Sequence, residues 1–188
     1  MSLLHRVLDE HPCESLRAYE LIGGGRSFAA AQADPIAVLV AIERSGLRGR
    51  GGAGFPTSVK WRSVMANASE SMPTTVVINA AEGEPSTFKD RTILRNNPYR
   101  VLEGAFVACA VVGATHMTVC LKESFATEWS RVREALDEMT AAGWANNVEV
   151  RMMAGPSAYL FGEETALLEV VEGRQPFPRV TPDRKSVV

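Results

Sequence analysis

Apolar side chains recur at every third or fourth position between residues 124 and 142, which is the spacing of one face of an α-helix. They are Phe125, Trp129, Val132, Leu136 and Met139, and charged residues lie between them. Gly143 follows, and glycine often ends helices because it adopts the left-handed conformation readily. A second apolar face follows Pro98, on Val101, Leu102, Ala105, Phe106, Cys109 and Val112. These patterns predict helices over about 98–112 and 124–142.

Three short runs rich in β-branched or apolar residues predict strands at 74–80, 116–121 and 148–153. Further helices are predicted at 34–45, where Asp34 caps and Pro35 occupies the first position, and at 57–67 and 162–173. Strands and helices alternate from residue 74 onward, which favours an α/β fold with a mainly parallel sheet and helices on both faces, a three-layer, Rossmann-like arrangement. We expect an N-terminal helical lead-in (1–33), an α/β domain (34–175) and a truncated C-terminal tail (176–188).

The composition of the chain limits the cellular location and the binding partners that can be expected. The chain has 188 residues, 46% of them apolar, which is enough for one core. A net charge of −2 gives no electrostatic reason to expect nucleic acid or an anionic membrane as a partner. The low-charge stretch 104–118 is shorter than the ~20 residues of a membrane helix, and the N-terminus lacks a signal-peptide pattern. We therefore expect a cytoplasmic protein without direct membrane insertion, at most peripheral to a membrane complex.

The cysteines and histidines do not suggest a metal site. Cys13, Cys109 and Cys120 are widely spaced and form no CxxC pair, and the three histidines are scattered. Three isolated thiols cannot supply the four ligands of an ordinary iron–sulfur cluster. No metal is expected on this chain.

The segment GRGGAGFPTSVK, residues 49–60, is the strongest chemical signal. Glycine stands at 49, 51, 52 and 54, so backbone N–H groups can approach a ligand without a Cβ in the way. Pro56 suits the first turn of a helix, whose N-terminus favours an anion, and Lys60 follows one turn later as a point charge. The segment predicts a phosphate cradle. A glycine-rich turn needed only for packing is the alternative, and an ordinary dinucleotide fingerprint is disfavoured because no strand precedes the glycines.

The loops after the first and third strands carry four carboxylates: Glu82, Glu84, Glu163 and Glu164. Ligands of parallel sheets bind beyond the carboxyl ends of the strands, where these loops meet. Carboxylates accept hydrogen bonds from ribityl, ribose and carboxamide groups, although each one alone could also be a helix cap. Phe55 and Tyr159 offer flat surfaces for an aromatic ligand, whereas Trp61 is expected in the core.

Three segments, SGLRGRGGAGFPTSVKW, NAAEGEPSTFKDR and AYLFGEETALLEVVEGR, resemble the flavin-binding subunit of respiratory complex I. Related subunits of NAD-linked hydrogenases and formate dehydrogenases are similar, and the likeness covers about residues 45 to 180. The resemblance implies a domain that binds FMN, takes hydride from NADH and passes electrons to iron–sulfur clusters. Such a cluster would belong to a partner protein or to a missing C-terminal domain.

The resemblance also implies roles for individual residues. FMN would be held by Gly49, Arg50, Gly51, Lys60, Asn79, Glu82, Tyr159, Gly162 and Glu163. NADH would be contacted by Gly52, Phe55, Glu84 and Glu164. No side chain need act as an acid or base, because hydride passes directly between the two cofactors.

The chain departs from the family pattern at several positions. Ala81 stands where a carboxylate is usual, a feature shared with the C subunit of Rnf-type complexes, and Ser63 stands where an aromatic residue is usual. The C-terminal β and cluster domains of the family are not in this sequence. The main hypothesis is an FMN-dependent NADH:acceptor oxidoreductase domain. The alternatives are a truncated, non-catalytic flavin- or nucleotide-binding module and, less favoured, an ordinary NAD-dependent dehydrogenase.

Overall fold

The computed structural model describes residues 7–50, 53–69 and 71–179. These residues form eight α-helices and three β-strands. In chain order they are α1 (Leu16–Leu21), α2 (Arg26–Ala33), α3 (Pro35–Ser45), α4 (Thr57–Ala66), β1 (Thr75–Ala80), α5 (Lys89–Asn96), α6 (Pro98–Val112), β2 (His116–Lys122), α7 (Ala126–Ala141), β3 (Glu149–Gly155) and α8 (Glu164–Val171).

The strands form one parallel sheet in the order β1-β2-β3. Asn79 of β1 lies opposite Cys120 of β2, and Leu121 of β2 lies opposite Ala154 of β3. Side chains of a strand alternate between the two faces of the sheet. In β2 this alternation sends Met117, Val119 and Leu121 to one apolar cluster and Cys120 to another.

Each face of the sheet is covered by helices. Parallel strands in sequential order, joined by right-handed crossovers, place their connecting helices on the same side, and α6 and α7 accordingly share one core with β2. That core contains Phe106, Val132 and Met139, all at most 1% exposed. On the opposite face, Leu167 of α8 packs with Cys120 and Phe161. The predicted three-layer α/β fold is confirmed.

Helices α1 and α2 are held against α6 by hydrogen bonds to a buried carboxylate. Glu103 on α6 is 5% exposed and accepts hydrogen bonds from the backbone N–H groups of Gly25 and Phe28, both at 3.0 Å, and from the Tyr19 hydroxyl. It therefore satisfies N–H groups that the start of α2 cannot pair within the helix. In the described part of the chain, each helix is too short or too polar to cross a membrane.

Three local features differ from the sequence prediction. α5 was not predicted. α8 begins at Glu164 and not at 162, because a 3₁₀ turn (Tyr159–Gly162) precedes it and Glu163 caps it. Pro56 lies just before α4 in extended conformation and forms an isolated antiparallel β-bridge with Arg48. The first helical residue is Thr57.

Candidate functional site

A cleft of about 780 Å³ lies beside β1, between α4 and α8. This volume is in the range of small-molecule sites. Six of the residues assigned to the ligands by resemblance line it: Gly49, Arg50, Lys60, Asn79, Gly162 and Glu164. Trp61 was expected in the core, and it does pack against core residues while partly buried. It also forms part of the cleft wall. Gly51 and Gly52 lie outside the described residues.

The glycine loop is closed at its base by backbone hydrogen bonds. The N–H of Gly49 donates to the carbonyl of Phe55 at 2.9 Å, and the N–H of Thr57 donates to the carbonyl of Leu47 at 3.0 Å. The Arg48 guanidinium adds a bond to the carbonyl of Gly54 at 3.2 Å. Sequence reasoning did not assign a role to Arg48; its place directly before the first glycine was the available signal.

Packing does not explain glycine at the described ends of this loop. A Cβ at Gly54 would meet nothing within 4 Å, and a Cβ at Gly49 would meet only Phe55 atoms, the nearest at 3.6 Å. Gly54 does have a φ of +54°, which favours glycine for conformational reasons. Gly49 and Arg50 are exposed and line the cleft, which favours an approach by a ligand over a purely structural turn.

A cation and a carboxylate meet across the cleft. The Lys60 ammonium on α4 donates to the Glu164 carboxylate on α8 at 3.1 Å. The side chains are 47% and 61% exposed, so an incoming ligand can reach both. The structure thus brings together one residue assigned to FMN and one assigned to NADH.

Asn79 fastens the 3₁₀ turn to the end of β1. Its side-chain amide donates to the carbonyl of Gly162 at 2.9 Å, and its amide oxygen accepts from the N–H of Ala81 at 3.1 Å. Gly162 lies so close that a Cβ would be 2.4 Å from the Ala81 carbonyl oxygen. Asn79 and Gly162 therefore shape the wall of the cleft through contacts within the protein.

Glu82 points towards α5 and does not line the described cleft. Its side chain is 4% exposed and accepts from the N–H of Asp90 at 3.2 Å and from Arg91 Nε at 3.4 Å. Burial pushes the pKa of Glu82 upward, but the bonds from Asp90 and Arg91 outweigh it and hold the pKa below its ordinary value. Arg91 also stacks on Phe88 and Phe125, at 4.6 and 5.1 Å from the ring centres. Sequence reasoning assigned Arg91 no role at the site.

Tyr159 and Glu84 join the loops that follow β3 and β1. The Tyr159 hydroxyl donates to the Glu84 carboxylate at 2.8 Å, and this bond raises the pKa of Tyr159. Both residues are exposed, as is Phe55, at 52%, beside the base of the glycine loop. None of these residues lines the described cleft, but Tyr159 and Glu84 lie at the same carboxyl edge of the sheet.

Glu163 serves as the cap of α8. Its carboxylate accepts from the N–H of Ala166 at 2.8 Å and from the Thr165 hydroxyl at 2.7 Å. Burial raises the pKa of Glu163, but these bonds outweigh that effect and lower it. The structure shows the capping role that the sequence left open for this residue, whereas its role at the flavin stays a prediction.

A parallel α/β domain with a glycine loop and a lysine at a cleft on the sheet edge defines a nucleotide-binding domain. The chain belongs to the Nuo51 FMN-binding domain family, whose pattern matches residues 42–188. This membership confirms the resemblance found in the sequence.

Curated relatives include the F subunit of the NADH-quinone oxidoreductase of Rhodobacter capsulatus, 39% identical over 170 residues, which represent 86% of this chain and 37% of that protein. Its counterpart in Rickettsia bellii (strain OSU 85-389) is 41% identical over 153 residues, 77% of this chain and 36% of that protein. The chain thus spans little more than a third of the length of these relatives.

Among solved structures, the chain is similar to an NAD⁺-reducing [NiFe]-hydrogenase in the H₂-reduced state. The TM-score is 0.78 at 35% identity, and the match covers 95% of this chain and 30% of that one. The air-oxidised hydrogenase gives a TM-score of 0.75 at 35% identity, over 87% of this chain and 29% of that one.

Proposed function

We propose that this chain is an FMN-binding domain that accepts hydride from NADH and delivers electrons to an iron–sulfur acceptor protein. The cleft carries the proposal, because Gly49, Arg50 and Lys60 line one side of it, and β1, Gly162 and α8 line the other. FMN, when bound, supplies the redox chemistry: it accepts a two-electron hydride and releases electrons singly. Family membership supports this reading.

The residues of the chain bind and orient. Lys60, Gly49 and Arg50 offer a cation and exposed backbone for the phosphate and the ribityl chain. Asn79 and Gly162 hold the wall of the cleft in place, and Glu164 with Phe55 is assigned to the nicotinamide nucleotide. No side chain is needed to move a proton, because hydride transfer is direct. We place the activity in the cytoplasm, free or on the peripheral part of a membrane complex.

A non-catalytic nucleotide-binding module of the same fold is the second candidate. It is favoured by Ala81 and Ser63, which stand where the family usually has a carboxylate and an aromatic residue. The two candidates differ in one measurement. A domain reconstituted with FMN is bleached by NADH under anaerobic conditions if it is catalytic and stays yellow if it only binds.

Lys60→Ala tests the phosphate assignment. Loss of a charged hydrogen bond should weaken FMN by about 1.5–3 kcal/mol, or roughly 10- to 150-fold, and should leave riboflavin, which has no phosphate, unchanged. Arg62→Ala is the matched control, because Arg62 lies on the same helix, is similarly exposed at 48%, and pairs with Glu43. Flavin fluorescence titrations give the dissociation constants. Equal FMN affinity in the Lys60 variant and in wild type would refute the assignment.

A further inference from the structure

The Lys60–Glu164 ion pair joins residues that are assigned to two different ligands. Lys60 is assigned to the FMN phosphate and Glu164 to the nicotinamide nucleotide, yet each is the other's partner at 3.1 Å. Both side chains line the same cleft. Before any ligand arrives, therefore, the phosphate-binding cation already holds an anion.

A phosphate that reaches Lys60 meets this carboxylate. The ammonium has three N–H donors, but a phosphate and a carboxylate sharing it would place two negative groups side by side, and like charges repel. The pair is also about half exposed, and exposed ion pairs contribute little net stability. The phosphate can therefore displace the carboxylate at small cost.

We propose that the Lys60–Glu164 pair is an exchangeable contact: the FMN phosphate displaces Glu164 from Lys60 and thereby frees the carboxylate for the nicotinamide nucleotide. The inference rests on the proposed function, because it needs FMN in this cleft. It makes the two sites interdependent. FMN bound at Lys60 raises the affinity of the chain for the dinucleotide, because Glu164 no longer has to leave Lys60 in order to contact it. By thermodynamic linkage, the dinucleotide raises the affinity for FMN by the same factor.

The test compares FMN dissociation constants of the full chain by fluorescence titration. E164Q removes the competing charge and should tighten FMN by about two- to fivefold, the equivalent of one exposed ion pair. E43Q is the matched control, because it breaks the pair between Glu43 on α3 and Arg62, which lies on the same helix as Lys60, and these side chains are 52% and 48% exposed. E43Q should leave FMN affinity unchanged, and E164Q should leave riboflavin affinity unchanged.

A double-mutant cycle separates exchange from simple repulsion between Glu164 and the phosphate. In a Lys60→Gln background the E164Q gain should disappear, because no ammonium remains to be released. A gain of the same size in both backgrounds, or equal FMN affinity in E164Q and wild type, would overturn the exchange while leaving the proposed function intact. Failure of wild type and all variants to bind FMN, with unchanged melting temperatures, would overturn both.

Discussion

A single methyl group at Gly162 tests how closely the turn after β3 is packed against the end of β1. In Gly162→Ala the new Cβ would lie 2.4 Å from the Ala81 carbonyl oxygen and 3.3 Å from the Gly83 nitrogen. Both are backbone atoms, so the movement of a flexible side chain cannot relieve the contact. The hydrogen bond from Asn79 to the Gly162 carbonyl also holds the turn in place. The turn or the loop after β1 must shift.

The expected magnitude follows from this overlap. Overpacking a close contact typically costs about 1–3 kcal/mol of folding stability. For a domain of this size, each kcal/mol lowers the melting temperature by about 2–4 °C, so the variant should melt roughly 2–12 °C below wild type. Because Gly162 lines the cleft, the shift should also weaken FMN binding.

Gly104→Ala is the matched control. Gly104 is an exposed position inside α6, and a Cβ there would meet nothing within 4 Å. The same added methyl group should stabilise the protein by about 0.5–1 kcal/mol, since glycine is unfavourable within a helix. Thermal and urea unfolding followed by circular dichroism give both values. A Gly162 variant as stable as wild type would show that the turn is not packed as described.

Two further predictions concern buried carboxylates. Glu103→Gln should lower the free energy of unfolding in urea by about 1–3 kcal/mol, because a glutamine cannot accept all the bonds that Glu103 takes from Tyr19, Gly25 and Phe28; an unchanged midpoint would contradict this role. The pKa of Glu82 lies below its ordinary value of 4.5, so its stabilisation is present above that value and is lost as the pH falls through the lowered pKa. The urea unfolding free energy of Glu82→Gln should therefore change less than that of wild type between about pH 6 and pH 3, and parallel curves would contradict the shift.

The long periodic elements could be predicted from the sequence because many positions repeat the same signal. The helix expected over 124–142 is α7, Ala126–Ala141, and Pro98 opens α6 as expected. α5 could not be predicted in the same way. Among its eight residues, Leu94 is buried and most of the others are polar or charged. Its start is supported by Glu82 from the preceding loop, a contact that no local pattern reveals.

That the loops after β1 and β3 meet was predictable, because parallel strands bring their carboxyl ends to the same edge of the sheet. The sequence did not predict which side chains would contact one another. Nothing in the spacing of residues 60 and 164 predicts that Lys60 and Glu164 meet, since 104 positions separate them along the chain. Trp61 shows the same limit, because an apolar residue on a helix can face the core and a cleft wall at once.

The residues assigned to the ligands differ in how far the protein already satisfies them. Asn79, Glu82 and Glu163 use their side chains to hold a turn, α5 and α8 in place. Lys60 instead has only an exposed carboxylate as its described side-chain partner, and that partner can be exchanged. Substitutions in the first group should therefore change the stability of the fold together with ligand affinity. A substitution of Lys60 should change affinity with little effect on stability, because exposed ion pairs contribute little to folding. Comparing both quantities for each variant thus separates residues that build the cleft from residues that bind within it.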